Sequence, residues 1–216
     1  MQSNVIYLYD DRKDVTLTTY ILQDSPELLN GKDRPAVIIC PGGGYFNCSD
    51  REAEPIALQF ASMGYHAFVL RYSTYCEGTG AFLDLSKPLT AKAHCQNPVP
   101  VREIGQAMLI VREHAREWLV DVDRIAVCGF SAGAHNAAMY AANWHTDMIS
   151  GHFGKEKELF RPAAAILGYM LSDYIYMKEA VKDASPMDQA FFAASNTAFL
   201  GEAEPSDEVL AAVSPA

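Results

Sequence analysis

The chain is 216 residues long and half hydrophobic, with 27 acidic against 17 basic side chains and a formal net charge of −10. That length and composition suit one folded domain, 1–216, with a sizeable core and exclude a disordered chain, and the acidic balance argues against nucleic-acid binding. No run approaches about 18 uninterrupted apolar residues, and the first eleven residues lack the basic-then-apolar order of a secretion signal, so the expectation is a cytoplasmic protein with no membrane partner.

In chain order, residues 4–9 and 15–22 alternate as half-exposed strands do and predict a hairpin at a sheet edge. Ala36-Val37-Ile38-Ile39-Cys40 reads as a buried strand running directly into Pro41-Gly42-Gly43-Gly44-Tyr45. A helix is predicted from about Asp50 to Met63, stopping at Gly64, and a strand over 65–72. From Ser73 to about Pro100 the chain is irregular, and a loop of that length is expected to be functional or to cap a site. Val101, Ile104, Met108, Val111, Ala115 and Trp118 recur at helical spacing and predict an amphipathic helix over 101–119.

Arg124-Ile125-Ala126-Val127-Cys128 predicts a buried strand, followed at once by Gly129-Phe130-Ser131-Ala132-Gly133 and an Ala-rich helix over 132–143. Residues 144–161 read as a polar connection and 163–169 as another buried strand. Ser185-Pro186-Met187-Asp188 has the N-cap serine, first-turn proline and early acid of a helix start; that helix ends near Gly201, and a short one follows Ser206. Strands alternating with helices predict an α/β protein: three layers, doubly wound, with a mostly parallel sheet. The five cysteines form no Cys-x-x-Cys, and Cys40 and Cys128 fall inside predicted strands, which suits a reduced compartment.

Two stretches carry chemistry. A short strand, Gly-x-Ser-x-Gly and a helix are the setting of a nucleophile elbow, which makes Ser131 the candidate nucleophile; the alternative is a Gly-rich turn that packs a helix closely on a sheet. The Pro41–Tyr45 stretch suits an oxyanion hole, since glycines let main-chain N–H groups approach a developing anion; Gly43 and Gly44 together with Ala132 are the expected donors. A plain glycine turn is the competing reading, whereas a phosphate loop lacks its Gly-Lys-Ser/Thr and Gly-x-Gly-x-x-Gly is absent.

With these stretches placed, the chain resembles the α/β-hydrolase fold and, more narrowly, small bacterial esterases and lipases of the acetyl-xylan-esterase-like branch, related to the hormone-sensitive-lipase type. Arg51-Glu52-Ala53-Glu54-Pro55, 67–73, 124–133 and Ile166-Leu167-Gly168-Tyr169 extend the likeness over about residues 35 to 215. Where that family has Gly then His after the elbow, this chain has Ala134 then His135. The resemblance implies a serine carboxylesterase acting through an acyl-enzyme on Ser131, on short acyl groups such as acetyl on sugars or xylan fragments. No metal or organic cofactor is implied, and the partner is a small-molecule or carbohydrate ester.

The resemblance also implies a triad acid and histidine on loops after two further strands, and neither has a counterpart in the 85 residues after Ser131. The stretch 211–216 reads as the run-in to the strand that carries the acid. His135 lies along the elbow helix rather than over the serine, His145 and His152 sit in the polar connection, and His66 and His114 precede the elbow. Asp173 is the best carboxylate in the chain, but a turn or helix cap explains it. The expectation is a C-terminally incomplete hydrolase domain lacking its last two strands, with an exposed sheet edge. The alternatives are an inactive relative that binds an ester, a base from an unusual position or a partner chain, and an amidase or peptidase of the same fold.

Overall fold

The structure, a computed structural model, describes residues 1–81 and 83–215. Strands β1 (Gln2–Tyr7) and β2 (Thr16–Ile21) form an antiparallel hairpin, and β3 (Arg34–Cys40) leads into the glycine loop. Next come helix α1 (Glu54–Ser62), strand β4 (His66–Arg71), α2 (Val99–Glu113), α3 (Ala115–Trp118), β5 (Val120–Phe130) and α4 (Ala132–Asn143). Strand β6 (Ala164–Gly168) and helices α5 (Tyr174–Ala180), α6 (Pro186–Leu200) and α7 (Asp207–Ala212) complete the described elements.

The six strands form one sheet in the order β1-β2-β4-β3-β5-β6, with the β1–β2 and β2–β4 pairs antiparallel and the rest parallel. Side chains alternate across β3: Val37 and Ile39 pack with Ala53 and Ala57 on the α1 side, while Ala36, Ile38 and Cys40 pack with α2 and α4 residues such as Ile104, Met108 and Ala137. This period of two is what a strand buried on both faces requires. The predicted three-layer, mostly parallel architecture is therefore the one observed. Parallel strands bring the β3 and β5 carboxyl ends to the same rim, so the glycine loop and Ser131 meet there.

Several boundaries differ from expectation. The helix predicted over 50–63 is a 3-10 turn, Asp50–Glu52, followed by α1, because Pro55 has no N–H to continue a helix through its own first turn. The helix predicted over 101–119 breaks at His114, whose ring stacks on Trp118 with centroids 4.5 Å apart. The polar run at the start of β5 shifts the register against β3 before the apolar run resumes at Ile125. Helix α5 has no counterpart among the expected elements.

Strand β6, expected to be buried, is exposed at Ala164, Ala165, Ile166 and Leu167. An apolar run reports burial only where neighbours cover it, and β6 pairs with β5 alone at the sheet edge. Within 211–216, Ala211 and Ala212 close α7 instead of opening a strand, and Ala216 lies outside the described residues. Among the described residues, no helix is long and apolar enough to cross a membrane.

Candidate active site

Ser131 sits between β5 and α4 with φ 50° and ψ −119°, a conformation that side-chain-bearing residues rarely adopt and that costs roughly 1–3 kcal/mol. Its N–H donates to the Gly168 carbonyl at 2.9 Å, and its carbonyl accepts the His135 N–H at 2.9 Å, so the turn is held from β6 and from α4. The flanking glycines are sterically required. A Cβ on Gly129 would lie 2.6 Å from the Ala134 nitrogen, and one on Gly133 would lie 2.7 Å from the Cys40 carbonyl carbon, with backbone oxygens nearer still. These are the two close approaches that the spacing of the motif anticipates.

The glycine loop is fixed carbonyl by carbonyl. Pro41 O accepts the Tyr72 hydroxyl at 2.7 Å, Gly42 O the Ser49 N–H at 2.8 Å, and Gly43 O the Phe46 N–H at 3.0 Å. Gly44 O accepts Ser195 Oγ at 3.1 Å, and Tyr45 O the Tyr75 N–H at 2.9 Å. In a trans peptide the N–H points opposite its carbonyl, so holding the Gly42 and Gly43 oxygens also orients the Gly43 and Gly44 N–H groups. Gly43, Gly44 and Tyr45 all have positive φ, at 139°, 64° and 63°. With their carbonyls held, these peptides have little freedom to turn; of the two glycines, Gly44 lines the cleft around Ser131 and Gly43 does not.

Around Ser131 lies a cleft of about 620 Å³, walled by Gly44, Ala132, Tyr169, Met177, Phe191 and Phe192. Its apolar wall with a few polar groups is the usual make-up of a small-molecule site. The described residues of the stretch 73–100 do not line this cleft, so that loop does not cap it. Asp173 lines it but caps α5, accepting the Tyr176 N–H at 2.8 Å. Asp188, also on the wall, is bonded to the Ser185 hydroxyl at 2.7 Å.

Of the six histidines only His135 lines the cleft, and both its nitrogens are engaged. Nδ1 lies 2.6 Å from the Tyr45 hydroxyl and Nε2 lies 2.7 Å from the Val213 carbonyl oxygen. Burial pulls its pKa down to about 4, against the smaller opposing effect of that carbonyl, so the ring is neutral at pH 7. His145 and His152 lie beyond the far end of α4, about 18 Å along a twelve-residue helix. His66 is level with Ile125, six residues before Ser131 and about 20 Å down the strand. His114 stacks on Trp118, and His94 lies 3.7 Å from Glu77.

Glu52 is the residue that motif reasoning did not single out. Its Oε2 accepts the Gly42 N–H at 2.7 Å, and its Oε1 accepts the Tyr169 hydroxyl. The only sequence signal was its place in Arg51-Glu52-Ala53-Glu54-Pro55, directly after the glycine loop. The five cysteines are free, and burial holds Cys95 and Cys128 at about 11 and Cys48 at about 12, which keeps those thiols protonated at pH 7. Among the described residues, no three His, Cys, Asp or Glu side chains converge as a metal site.

The family model described as BD-FAE matches residues 87–216, more than half of the chain. The chain is 31% identical over 137 residues to endo-1,4-beta-xylanase B of Butyrivibrio fibrisolvens, covering 63% of this chain and 19% of that protein. It is 37% identical, with a TM-score of 0.61, to MGS-M1, an alpha/beta hydrolase enzyme from a Medee basin deep-sea metagenome library, covering 79% of this chain and 57% of that one. The acetyl ester-xyloside bifunctional hydrolase of Caldicellulosiruptor lactoaceticus is 25% identical with a TM-score of 0.66, covering 98% of this chain and 68% of that one. The chain thus spans less than a fifth of the xylanase and little more than half of MGS-M1.

Proposed function

This chain belongs to the BD-FAE family, and on that footing we propose that it is a serine carboxylesterase, hydrolysing short acyl esters such as acetyl groups on sugars or xylan fragments. The Ser131 oxygen attacks the ester carbonyl carbon, and the carbonyl electron pair moves onto an oxygen held by the N–H groups of Gly43, Gly44 and Ala132. The proton that Ser131 loses passes to the departing alkoxide oxygen, so collapse expels the alcohol and leaves an acyl-enzyme. Water then adds to that carbonyl, releasing the acid and returning a proton to Ser131. The observation that carries this reading is the Ser131 backbone, held at φ 50° between two glycines that have no room for a side chain. The names of the xylanase and of the acetyl ester-xyloside hydrolase support carbohydrate esters as the substrate class.

The same proposal takes the 216 residues as one domain with no nucleic-acid or membrane partner. A cytoplasmic setting is supported by five free cysteines.

A second reading has its own observation. Among the described residues, the imidazole that lines the cleft has both nitrogens engaged, so none is free to take the Ser131 proton. A serine without its base retains only the oxyanion-hole and binding contribution, on the order of 10³–10⁴ over water. On this reading the cleft binds esters and barely turns them over.

Intact-mass analysis after a fluorophosphonate probe, with Ser131→Ala as control, separates the two. An adduct on the wild type alone supports an activated serine; no adduct on folded protein supports the binding reading. For an active serine, acetyl esters tested against aryl amides distinguish an esterase from an amidase or peptidase.

A further inference from the structure

Glu52 sits at the end of the 3-10 turn that follows the glycine loop, outside the group of residues lining the cleft. Its two carboxylate oxygens nonetheless reach both sides of the Ser131 mouth. One holds the Gly42 N–H at 2.7 Å, and the other takes the hydroxyl of Tyr169, which follows β6 and forms part of the cleft wall. The meeting point is tight: a Cβ on Gly42 would lie 2.8 Å from Glu52 Oε2 and 3.0 Å from Ser131 Cβ. Carboxylate, loop and candidate nucleophile therefore converge on a position that only glycine fits.

The Pro41–Gly42 peptide is gripped at both ends, its N–H by Glu52 and its oxygen by the Tyr72 hydroxyl. That plane is the base from which the Gly43 and Gly44 N–H groups project. A carboxylate repels a developing oxyanion whichever way its lone pairs point, so its charge gives Glu52 no favourable role there. What each Glu52 oxygen contributes is a hydrogen bond, one from Gly42 and one from Tyr169.

We propose that Glu52 is a positioning residue that sets the oxyanion loop and Tyr169 in register with Ser131, so that stabilisation of a tetrahedral adduct depends on its hydrogen bonds and not on its charge. The proposal rests on Ser131 being the nucleophile. It predicts that glutamine substitutes for Glu52: its amide oxygen can accept from Gly42 while its NH₂ donates to the Tyr169 oxygen.

The test uses the 216-residue chain and phenylboronic acid, which becomes tetrahedral when a serine oxygen bonds to boron and places a boron-bound oxygen in the oxyanion hole. Boron NMR reads the adduct without any turnover. Glu52→Ala should weaken the adduct at least tenfold, and Glu52→Gln should return it to within about threefold of wild type. A Glu52→Ala protein that folds and binds phenylboronic acid like wild type overturns the proposal, as does a glutamine variant as weak as the alanine one.

Ring-carbon NMR of labelled tyrosine gives an independent reading. Tyr169 ionises above the ordinary phenol range because it donates to Glu52, and in Glu52→Gln it should fall back to the ordinary value of about 10. No change in Tyr169 between the two proteins means that the bridge is absent and the proposal fails. If wild type forms no tetrahedral boron, or Ser131→Ala forms it equally well, the nucleophile reading and the proposal resting on it both fail; a Tyr169 that still responds shows that the bridge itself remains.

Discussion

The hydroxyl of Tyr45 donates to Nδ1 of His135 across 2.6 Å. The direction follows from the other ring nitrogen, because Nε2 faces the Val213 carbonyl at 2.7 Å and must carry the proton there. One neutral imidazole therefore ties the glycine loop, the elbow helix and the segment after α7 together. Tyr45 is also stacked on Phe199 with centroids 4.1 Å apart, which holds the phenol against α6.

Replacing His135 by phenylalanine keeps the ring volume but strands the Tyr45 hydroxyl and the Val213 carbonyl in the core. At about 1–3 kcal/mol for each unsatisfied group, the variant should lose roughly 2–6 kcal/mol of stability. Urea denaturation measures it; a loss under about 1 kcal/mol would contradict the hydrogen-bond assignment.

The backbone of Ser131 predicts a gain instead. Glycine tolerates a positive φ, so Ser131→Gly relieves roughly 1–3 kcal/mol of strain and gives back about 0.4–1 kcal/mol through a more flexible unfolded chain. The net expectation is a stabilisation on the order of 1 kcal/mol over Ser131→Ala, which keeps the Cβ. Comparing the thermal midpoints of these two variants checks this without any substrate.

Alanine at Gly129 or Gly133 should be far more damaging, because the added Cβ meets backbone that cannot move aside. A loss of about 3 kcal/mol or more is expected, at or above the upper end of ordinary overpacking. Gly154 is the control: its φ is +60° but nothing lies within 4 Å of a Cβ there, so alanine should cost only about 1–2 kcal/mol. Equal losses at the three positions would be inconsistent with the packing.

Two buried groups give the stability opposing pH dependences. Burial raises Glu103 to about 7, although Ser73 and Tyr9 donate to it. From its unfolded value of about 4.3 up to 7, the folded protein holds the extra proton, so stability falls by about 3–4 kcal/mol as pH rises. His135, at about 4 in the fold, behaves the other way. Between 4 and its unfolded value of about 6.5 the unfolded chain holds the proton, and stability rises with pH by about 3 kcal/mol.

The two slopes largely cancel below about pH 6.5. Glu103→Gln should therefore expose a stability that climbs from pH 4 to 6.5, and His135→Phe one that declines from about pH 4.3 to 7. Denaturation midpoints across that range test both signs, and parallel profiles for the two variants would refute the assignment.

Much of this arrangement was legible in the chain. The apolar run 124–128 followed by Gly-x-Ser-x-Gly placed Ser131 on a strand-to-helix turn, and Ser185-Pro186 with Gly201 bracketed α6 as an N-cap and a left-handed C-cap do. Asp173 proved to be a helix cap, the reading weighed against a catalytic one. These are local matters, set by backbone sterics and hydrogen bonds between residues close in sequence, and a single chain displays them. Other features depend on residues far apart. That His135 is bound by Tyr45 and Val213 and that Glu52 spans Gly42 and Tyr169 follow from which distant segments the sheet order brings together. Burial, and with it the pKa of His135 and Glu103, belongs to that assembled neighbourhood, because desolvation depends on what packs around a group and not on what precedes it in the chain.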